Sequence, residues 1–183
     1  GEKALDVLIP KKAFAESAKL CEGEKVVDIA MDSSAQHLFF RVGHRVLSTR
    51  LLTGQFPNYE LVLPKANTSI AVVDREALLA GVRRAILMAD EKSHAVKMVF
   101  KEGAVEITSQ SAEAGEAADT VMMEYAGPEI AAGFNGAYLA EVLGVIQTAQ
   151  VQICLKDGNS QVEIRPVGDT QGESRHVIMP MRL

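Results

Sequence analysis

Hydrophobic and polar positions near the start of the chain follow two different periods. Apolar Leu5, Val7 and Ile9 fall on alternate positions of residues 4–9, which predicts a strand, and Pro10 ends it. Residues 11–21 carry apolar side chains at helical spacing, with Pro10 suited to the first turn and Gly23 to the exit. Strand patterns follow at residues 24–31, 36–42 and 44–51. This part of the chain therefore predicts a β-α-β-β-β unit.

The same order of elements returns twice later in the chain. The second unit is predicted as a strand at residues 68–73, a helix from 75 to about 89, and strands at 96–100, 104–109 and 118–125. The third is predicted as a strand at residues 129–134, a helix from 136 to about 149, and strands at 151–155, 161–166 and 175–179. Asp74 and Asn135 are predicted N-caps of these two helices. The predicted helix starts, Pro10, Asp74 and Asn135, are 64 and 61 residues apart, which indicates a repeat of about sixty residues.

Two such units side by side can bury their helices as a pair against one face of a sheet, which a single unit cannot do. We therefore predict an α+β fold in which the second and third units form one complete domain. The first unit is then a half-domain whose partner would lie upstream. The pattern leaves open whether this half-domain is mobile or pairs with another copy.

The segment between the first two units, residues 54–65, is unusually apolar for a connector. Pro57 and Pro64 fix the backbone and remove N–H donors, so neither a helix interior nor a central strand can run through it. Its apolar side chains are Phe56, Tyr59, Leu61, Val62 and Leu63. Two interpretations stay open: a buried tether between domains, or a surface that receives a partner.

The charge distribution differs between the whole chain and its helices. The formal net charge of −5 argues against general attraction to nucleic acid but permits a local basic face. The first two predicted helices are each net positive, with Lys11, Lys12, Lys19, Arg75, Arg83 and Arg84. Such a face could follow a phosphate backbone without reading bases, or it could simply be a solvated helix face.

Signals for catalysis are weak throughout the sequence. The histidines are scattered, no glycine-rich phosphate loop occurs, and no nucleophile is indicated, so we predict no cofactor or metal. Cys21 and Cys154 lack metal-binding spacing and are predicted to be reduced core residues. The carboxylates Glu113, Glu116 and Asp119 favour a solvated face or an ion-pairing interface. No run approaches the roughly 18 apolar residues of a membrane span, and no signal peptide is indicated.

The last eight residues end the chain on adaptable apolar side chains, where a polar end is more common. Methionines at a surface suit a groove that accepts varied peptides. A packed final strand is the alternative for Val177 and Ile178. It fits residues 179–183 less well, because Pro180 is expected to end sheet pairing.

Three motifs in this order resemble the bacterial DNA polymerase III beta subunit family, the sliding clamps. They are Gly54-Gln55-Phe56-Pro57-Asn58-Tyr59 with Val62-Leu63-Pro64-Lys65, then Gly133-Phe134-Asn135, and finally Met179-Pro180-Met181-Arg182-Leu183. The resemblance covers essentially the whole chain. It implies that residues 1–64 are the second half of the middle domain with its linker, and that residues 65–183 are the complete carboxy-terminal domain.

The resemblance also implies a function without catalysis. Sliding clamps are expected to be head-to-tail homodimeric rings, with sheets outside and helices lining a basic channel around duplex DNA. A processivity factor of this kind tethers the replicative polymerase and recruits other polymerases, the clamp loader and repair proteins through short linear motifs. The implied location is the bacterial cytoplasm, associated with the nucleoid and not with a membrane. The alternative is a stand-alone peptide-binding module that does not encircle DNA.

Residue roles follow from the resemblance position by position. The implied partner-peptide pocket comprises Pro57, Asn58, Leu61, Val62, Val177, Met179, Pro180, Met181, Arg182 and Leu183. The implied DNA-facing residues are Lys11, Lys12, Arg75, Arg83 and Arg84. The implied ring interface comprises Leu87, Met88, Glu113 and Glu116.

Overall fold

In a computed structural model of the chain, which describes residues 5–112, 115–168 and 174–182, the polypeptide divides into two compact units, Gly1–Asn58 and Tyr59–Leu183. The first unit packs a helix on an antiparallel sheet of strand order β1-β2-β3. Its elements are α1 (Lys11–Cys21), β1 (Asp28–Met31), β2 (His37–Val42) and β3 (Arg45–Arg50). Leu38, Phe40 and Val42 of β2 form its buried centre.

The beginning of the first unit differs from the prediction. Residues 5–9 form no strand, and Ala4 lies outside the described residues. Leu8 accepts a hydrogen bond from the backbone N–H of Leu52 at 2.9 Å, but no ladder continues from it. A strand requires a neighbour along its length, and among the described residues no strand pairs with this segment. The strand predicted at 24–31 is likewise shortened to Asp28–Met31.

The second unit carries two complete repeats. The first repeat contains β4 (Ser69–Asp74), α2 (Arg75–Ile86), β5 (Ala95–Lys101), β6 (Ala104–Ser111) and β7 (Gly115–Glu124). The second contains β8 (Ile130–Asn135), α3 (Gly136–Val145), β9 (Gln150–Leu155), β10 (Val162–Pro166) and β11 (His176–Ile178). Their strands form one sheet of order β11-β10-β9-β4-β7-β6-β5-β8. The predicted α+β fold with repeated β-α-β-β-β units is confirmed.

The two repeats of the second unit hold each other by exchanging their first strands. β4 pairs antiparallel with β9 of the other repeat, and β8 pairs antiparallel with β5. α2 and α3 pack together against the sheet and bury Leu78, Val82, Leu139 and Leu143. Each repeat thus completes the core of the other.

Side chains cap both helices as predicted. The Asp74 carboxylate accepts from the Ala77 N–H at 2.8 Å, and the Asn135 amide oxygen accepts from the N–H groups of Ala137 at 3.0 Å and Tyr138 at 3.2 Å. The helices end earlier than predicted, at Ile86 and Val145 instead of about 89 and 149. After Ile86 the backbone tightens into bonds between residues three apart, which use up the last carbonyls of the helix.

Sheet pairing does not stop at Pro180, contrary to expectation. Pairing with β10 ends at Ile178, but the Met181 N–H donates to the Gly133 carbonyl of β8 at 2.8 Å. Pro180 lacks a donor of its own, yet the next residue keeps one. The tail therefore runs from β11, at one edge of the sheet, to β8, at the other. None of the described helices has the length and apolar character needed to cross a membrane.

Candidate partner-binding and nucleic-acid-facing sites

The carboxy-terminal tail divides its side chains between the core and the surface. Ile178 is buried in the core. Val177 is half-buried on the opposite face of the sheet, and its partner on the neighbouring strand β10 is Glu163. Met179 is 58% exposed, and Arg182 is also exposed. The structure therefore presents part of the predicted peptide-binding set at the surface. Leu183 lies outside the described residues.

A cavity of about 380 Å³ lies beside the tail, and Met181 and Arg182 line it together with Lys97 and Asn159. The turn that carries Asn159 approaches β8 very closely, because a Cβ built on Gly158 would lie 2.1 Å from the Ala131 carbonyl oxygen. Sequence analysis did not connect this turn with the tail. Their proximity depends on the order of strands in the sheet, which the local pattern of residues does not reveal.

The linker exposes its apolar side chains. Residues Tyr59–Leu61 form a short 3-10 turn, closed by a hydrogen bond from the Val62 N–H to the Tyr59 carbonyl at 2.9 Å. Large apolar side chains exposed along this segment are Phe56, Tyr59, Leu61 and Val62. Pro57 and Asn58, also exposed, belong to the first unit. The interpretation as a buried tether is therefore wrong for these residues.

Glu163 is a buried, ion-paired neighbour of the tail that sequence analysis missed. Its side chain is only 2% exposed and forms ion pairs with Arg165, at 2.8 Å, and with Arg175. Burial opposes ionisation of Glu163, but hydrogen bonds from Arg175 and Arg165 outweigh it and lower the pKa of the carboxyl group below its usual value. The carboxylate thus joins β10 to the segment that leads into β11 and Val177.

Cys154 lies on β9 next to this cluster and is buried, as predicted. Burial raises the pKa of its thiol, as expected of a core cysteine without a reactive role. Cys21 is only half-buried, so the prediction of a core position is wrong for that residue.

The basic residues predicted to face DNA separate into two groups. Lys11, Lys12 and Arg83 are exposed and form no ion pair with another described residue. Arg84 instead pairs with Asp119, with Nε 2.8 Å from the carboxylate. Lys11 and Lys12 belong to the first unit and the arginines to the second.

Arg75, also predicted to face DNA, directs its side chain towards backbone groups of the second unit. Its side chain is 15% exposed, and the guanidinium donates to the carbonyls of Leu143 at 3.1 Å and Thr148 at 3.0 Å. It also pairs with Glu76. A cation at the carboxy-terminal end of α3 satisfies carbonyls that have no partner within the helix. Arg75 therefore uses guanidinium N–H groups to bind backbone carbonyls within the second unit.

The residues predicted for a ring interface meet around a cleft of about 470 Å³. Leu87 and Met88, both exposed, line it together with Glu116 of β7 and the Arg84–Asp119 ion pair. An apolar pair beside charged groups of both signs suits a protein–protein contact. Glu113 lies outside the described residues. Arg84 thus lines this cleft, which its position on a net-positive helix did not indicate.

Metal chemistry finds no support in the part of the chain that the structure describes. There, no three His, Cys, Asp or Glu side chains come together as potential ligands.

Comparison with known families assigns both units. A family model described as DNA polymerase III beta subunit, C-terminal domain, matches residues 60–182, and the model of the central domain of the same subunit matches residues 1–58. The chain belongs to the DNA polymerase III beta subunit family. The resemblance noted in the sequence is therefore confirmed.

Individual sliding clamps match over nearly the whole chain. A beta sliding clamp of Pseudomonas putida is 34% identical over 178 residues, which cover 97% of this chain and 47% of that protein. The crystal structure of a sliding clamp from Pseudomonas aeruginosa is 34% identical with a TM-score of 0.82, over 97% of this chain and 48% of that one. A P. aeruginosa clamp bound to griselimycin is 33% identical with a TM-score of 0.83, over 97% and 47%. This chain thus spans about half the length of these relatives.

Proposed function

We propose that this chain acts as part of a DNA sliding clamp, a processivity factor that encircles duplex DNA and recruits partner proteins without catalysing a reaction itself. The observation that carries the proposal is the consecutive match to the central and C-terminal domains of the beta subunit. Residues 1–64 would supply the second half of the middle domain with its linker, and residues 65–183 the carboxy-terminal domain. Its place would be the bacterial cytoplasm, at the nucleoid.

The partner-binding part of the proposal rests on the exposed apolar side chains of linker and tail. Four apolar residues of this set are exposed: Pro57, Leu61, Val62 and Met179. Val177 and Met181, which lie on either side of Met179 in the sequence, are half-buried. Short linear motifs of polymerases, the clamp loader and repair proteins would bind such a surface through apolar anchors. The griselimycin complex of the P. aeruginosa clamp supports a ligand-binding site in a relative.

The DNA-facing part rests on Lys11, Lys12 and Arg83, which stay exposed and unpaired among the described residues. Their contacts would be to phosphates, without base readout. In the assembled ring, Leu87, Met88 and Glu116 would face the next subunit of a homodimer. A stand-alone peptide-binding module remains the second candidate, favoured by the internal pairing of Arg75 and Arg84.

Titration of a labelled clamp-binding peptide against the chain tests the pocket. We expect Met179→Ala and Val62→Ala each to raise the dissociation constant of the peptide about tenfold, since each removes an apolar anchor. Met122→Ala is the matched control, because Met122 is similarly exposed but lies on β7, outside the predicted set. Unchanged peptide affinity in both variants would contradict the proposed peptide-binding groove.

A further inference from the structure

The hairpin formed by β9 and β10 contacts both segments that are proposed to bind partners, the linker and the tail. Its ladder runs from the Val151–Pro166 pair to the Cys154–Glu163 pair, and a turn at residues 156–161 closes it. The hairpin, the tail and the linker from Tyr59 onward all lie in the second unit, so their contacts do not involve the first unit.

Asn67 joins the end of the linker to this hairpin. Residues 64–68 lie in neither a helix nor a strand. The Asn67 side-chain amide donates to the backbone carbonyls of Cys154, at 2.7 Å, and Gln161, at 3.1 Å. Only the nitrogen end of an amide side chain can bond two carbonyl oxygens, and both of its N–H groups are used here. One carbonyl lies on each arm of the hairpin, so Asn67 bridges the two arms where their ladder ends.

The turn beyond this bridge reaches the tail. The Asp157 carboxylate accepts hydrogen bonds from the N–H groups of Asn159, at 2.8 Å, and Ser160, at 2.7 Å, which give the turn a defined shape. Asn159 lines the cavity of about 380 Å³ together with Met181 of the tail. A shift of the turn would therefore change the cavity beside the tail.

Glu163 fixes the tail from the other arm of the hairpin. Its carboxylate pairs with Arg175, which lies two residues before Val177. Its backbone position pairs with Val177 across the ladder between β10 and β11. A buried carboxylate is costly without a cationic partner, so the pair favours one position of the segment that begins the tail. The hairpin thus holds the tail through Glu163 and the linker through Asn67.

We propose that Asn67 and Glu163 are positioning residues for the partner-peptide surface, and that the β9–β10 hairpin holds the linker and the tail in the geometry that binds a peptide. This inference rests on the proposed function. Neither residue contacts the peptide, since each acts through the segment that it holds. A surface that is ordered before binding loses less conformational freedom when the peptide binds, which strengthens affinity without a new contact.

Titration of the labelled clamp-binding peptide tests the role of Asn67. We expect Asn67→Asp to raise the dissociation constant about tenfold, because a carboxylate of the same size cannot donate and repels both carbonyls. Asn67→Ala removes the donors without adding charge and should give a smaller increase. The matched control is Gln147→Glu, since the Gln147 amide also donates to a backbone carbonyl, that of Val145 at 3.3 Å, but within its own segment. It should change the dissociation constant by less than about twofold.

The same titration tests Glu163 through a conservative replacement. We expect Glu163→Gln to raise the dissociation constant of the peptide about fivefold, because the tail loses the ion pair that holds Arg175. Glu163→Asp keeps the anion and should restore most of the affinity. Equal weakening by both replacements would contradict the positioning role of the Glu163 charge.

The mobility of a nitroxide label, measured by electron paramagnetic resonance without peptide, separates positioning from a general loss of stability. Single labels are attached through Lys65→Cys in the linker, Arg182→Cys in the tail and Glu141→Cys on α3, three exposed positions. The background is Cys21→Ser, and Cys154 is buried and stays unlabelled.

Each positioning variant should loosen its own segment. We expect Asn67→Asp to increase the mobility of the label at position 65, and Glu163→Gln that of the label at position 182, with no change at position 141. An equal change at all three positions would overturn the inference in favour of general destabilisation. Unchanged peptide affinity in Asn67→Asp, Asn67→Ala and Glu163→Gln would overturn the positioning roles alone, whereas failure of the unmodified chain to bind the peptide would contradict the proposed function itself.

Discussion

Arg75 shows at the scale of one residue what the charge of a helix does not reveal. It lies on a net-positive helix, which made it a candidate for contact with phosphate. In the fold, its guanidinium donates to the carbonyls of Leu143, in the last turn of α3, and Thr148, between α3 and β9. The residue therefore joins the first repeat of the second unit to the second repeat.

Replacement of Arg75 by alanine should destabilise the second unit. We expect the free energy of unfolding to fall by about 2 kcal/mol, because carbonyl groups at the end of α3 lose charge-assisted hydrogen bonds. Urea denaturation measures this change. Arg83→Ala is the control and should change the free energy of unfolding by less than about 0.5 kcal/mol, since Arg83 is exposed. An equal effect of the two substitutions would contradict the structural role of Arg75.

Other single residues could be predicted from sequence because their effects are local. Asp74 and Asn135 were predicted as helix caps from the residues beside them, and both accept the expected backbone hydrogen bonds. Glu163 was not predicted, since an acidic residue in a strand ordinarily faces solvent. Its charge is balanced by Arg175, twelve residues further along the chain.

At the scale of elements, the ion pairs of Glu163 join β10 to the segment before β11. Burial alone would raise the pKa of Glu163, but the hydrogen bonds from Arg175 and Arg165 lower it below 4.5. A carboxyl group with a lowered pKa in the folded state stabilises the fold above its unfolded pKa. That contribution is lost as the pH falls through the folded pKa.

We expect Glu163→Gln to lower the free energy of unfolding at pH 7 by about 2 kcal/mol, because two partly buried arginines lose their anion. The difference from the unmodified chain should shrink as the pH falls from the ordinary pKa of a glutamate towards the lowered pKa of folded Glu163, because the unfolded chain binds the proton first and the folded carboxylate last. Thermal unfolding at a series of pH values measures both effects. Glu141→Gln, an exposed change on α3, serves as the control. A difference that stays constant down to pH 2 would contradict the ion-pair explanation.

The bounds predicted for α1, Lys11–Cys21, are confirmed. Two segments whose pairing depends on a distant part of the chain differ from the prediction. Residues 5–9 have the alternation of a strand, but the structure shows no strand there, because hydrogen bonding in a sheet needs a second chain segment. Met181 shows the reverse case, since it pairs with Gly133 although Pro180 precedes it.

At the scale of the whole molecule, the proposed clamp function holds DNA by enclosure and not by strong local contacts. Only a few exposed cations, Lys11, Lys12 and Arg83, remain for phosphate contact among the five predicted. We therefore expect this chain alone to bind linear duplex DNA weakly at physiological salt, with a dissociation constant of about 10⁻⁴ to 10⁻⁶ M.

Fluorescence anisotropy with a labelled duplex measures this affinity at several salt concentrations. Between 50 and 200 mM salt, three phosphate contacts predict a loss of about fortyfold. Substitution of Lys11 and Lys12 by alanine should flatten the salt dependence, whereas Arg75→Ala should not. Nanomolar binding to open linear DNA at physiological salt would contradict retention by enclosure.

The repeat, the helix caps and the family motifs could all be recognised from the order of residues, because periodicity, turn chemistry and short motifs act over a few neighbouring positions. The sequence therefore indicated the α+β class, the three units and the clamp family. The tertiary structure added the contacts that join positions far apart. These are the exchanged strands, the hydrogen bonds of Arg75 to backbone carbonyls, the Arg84–Asp119 ion pair and the buried ion pairs of Glu163. These depend on which surfaces pack together, which no local pattern of residues specifies.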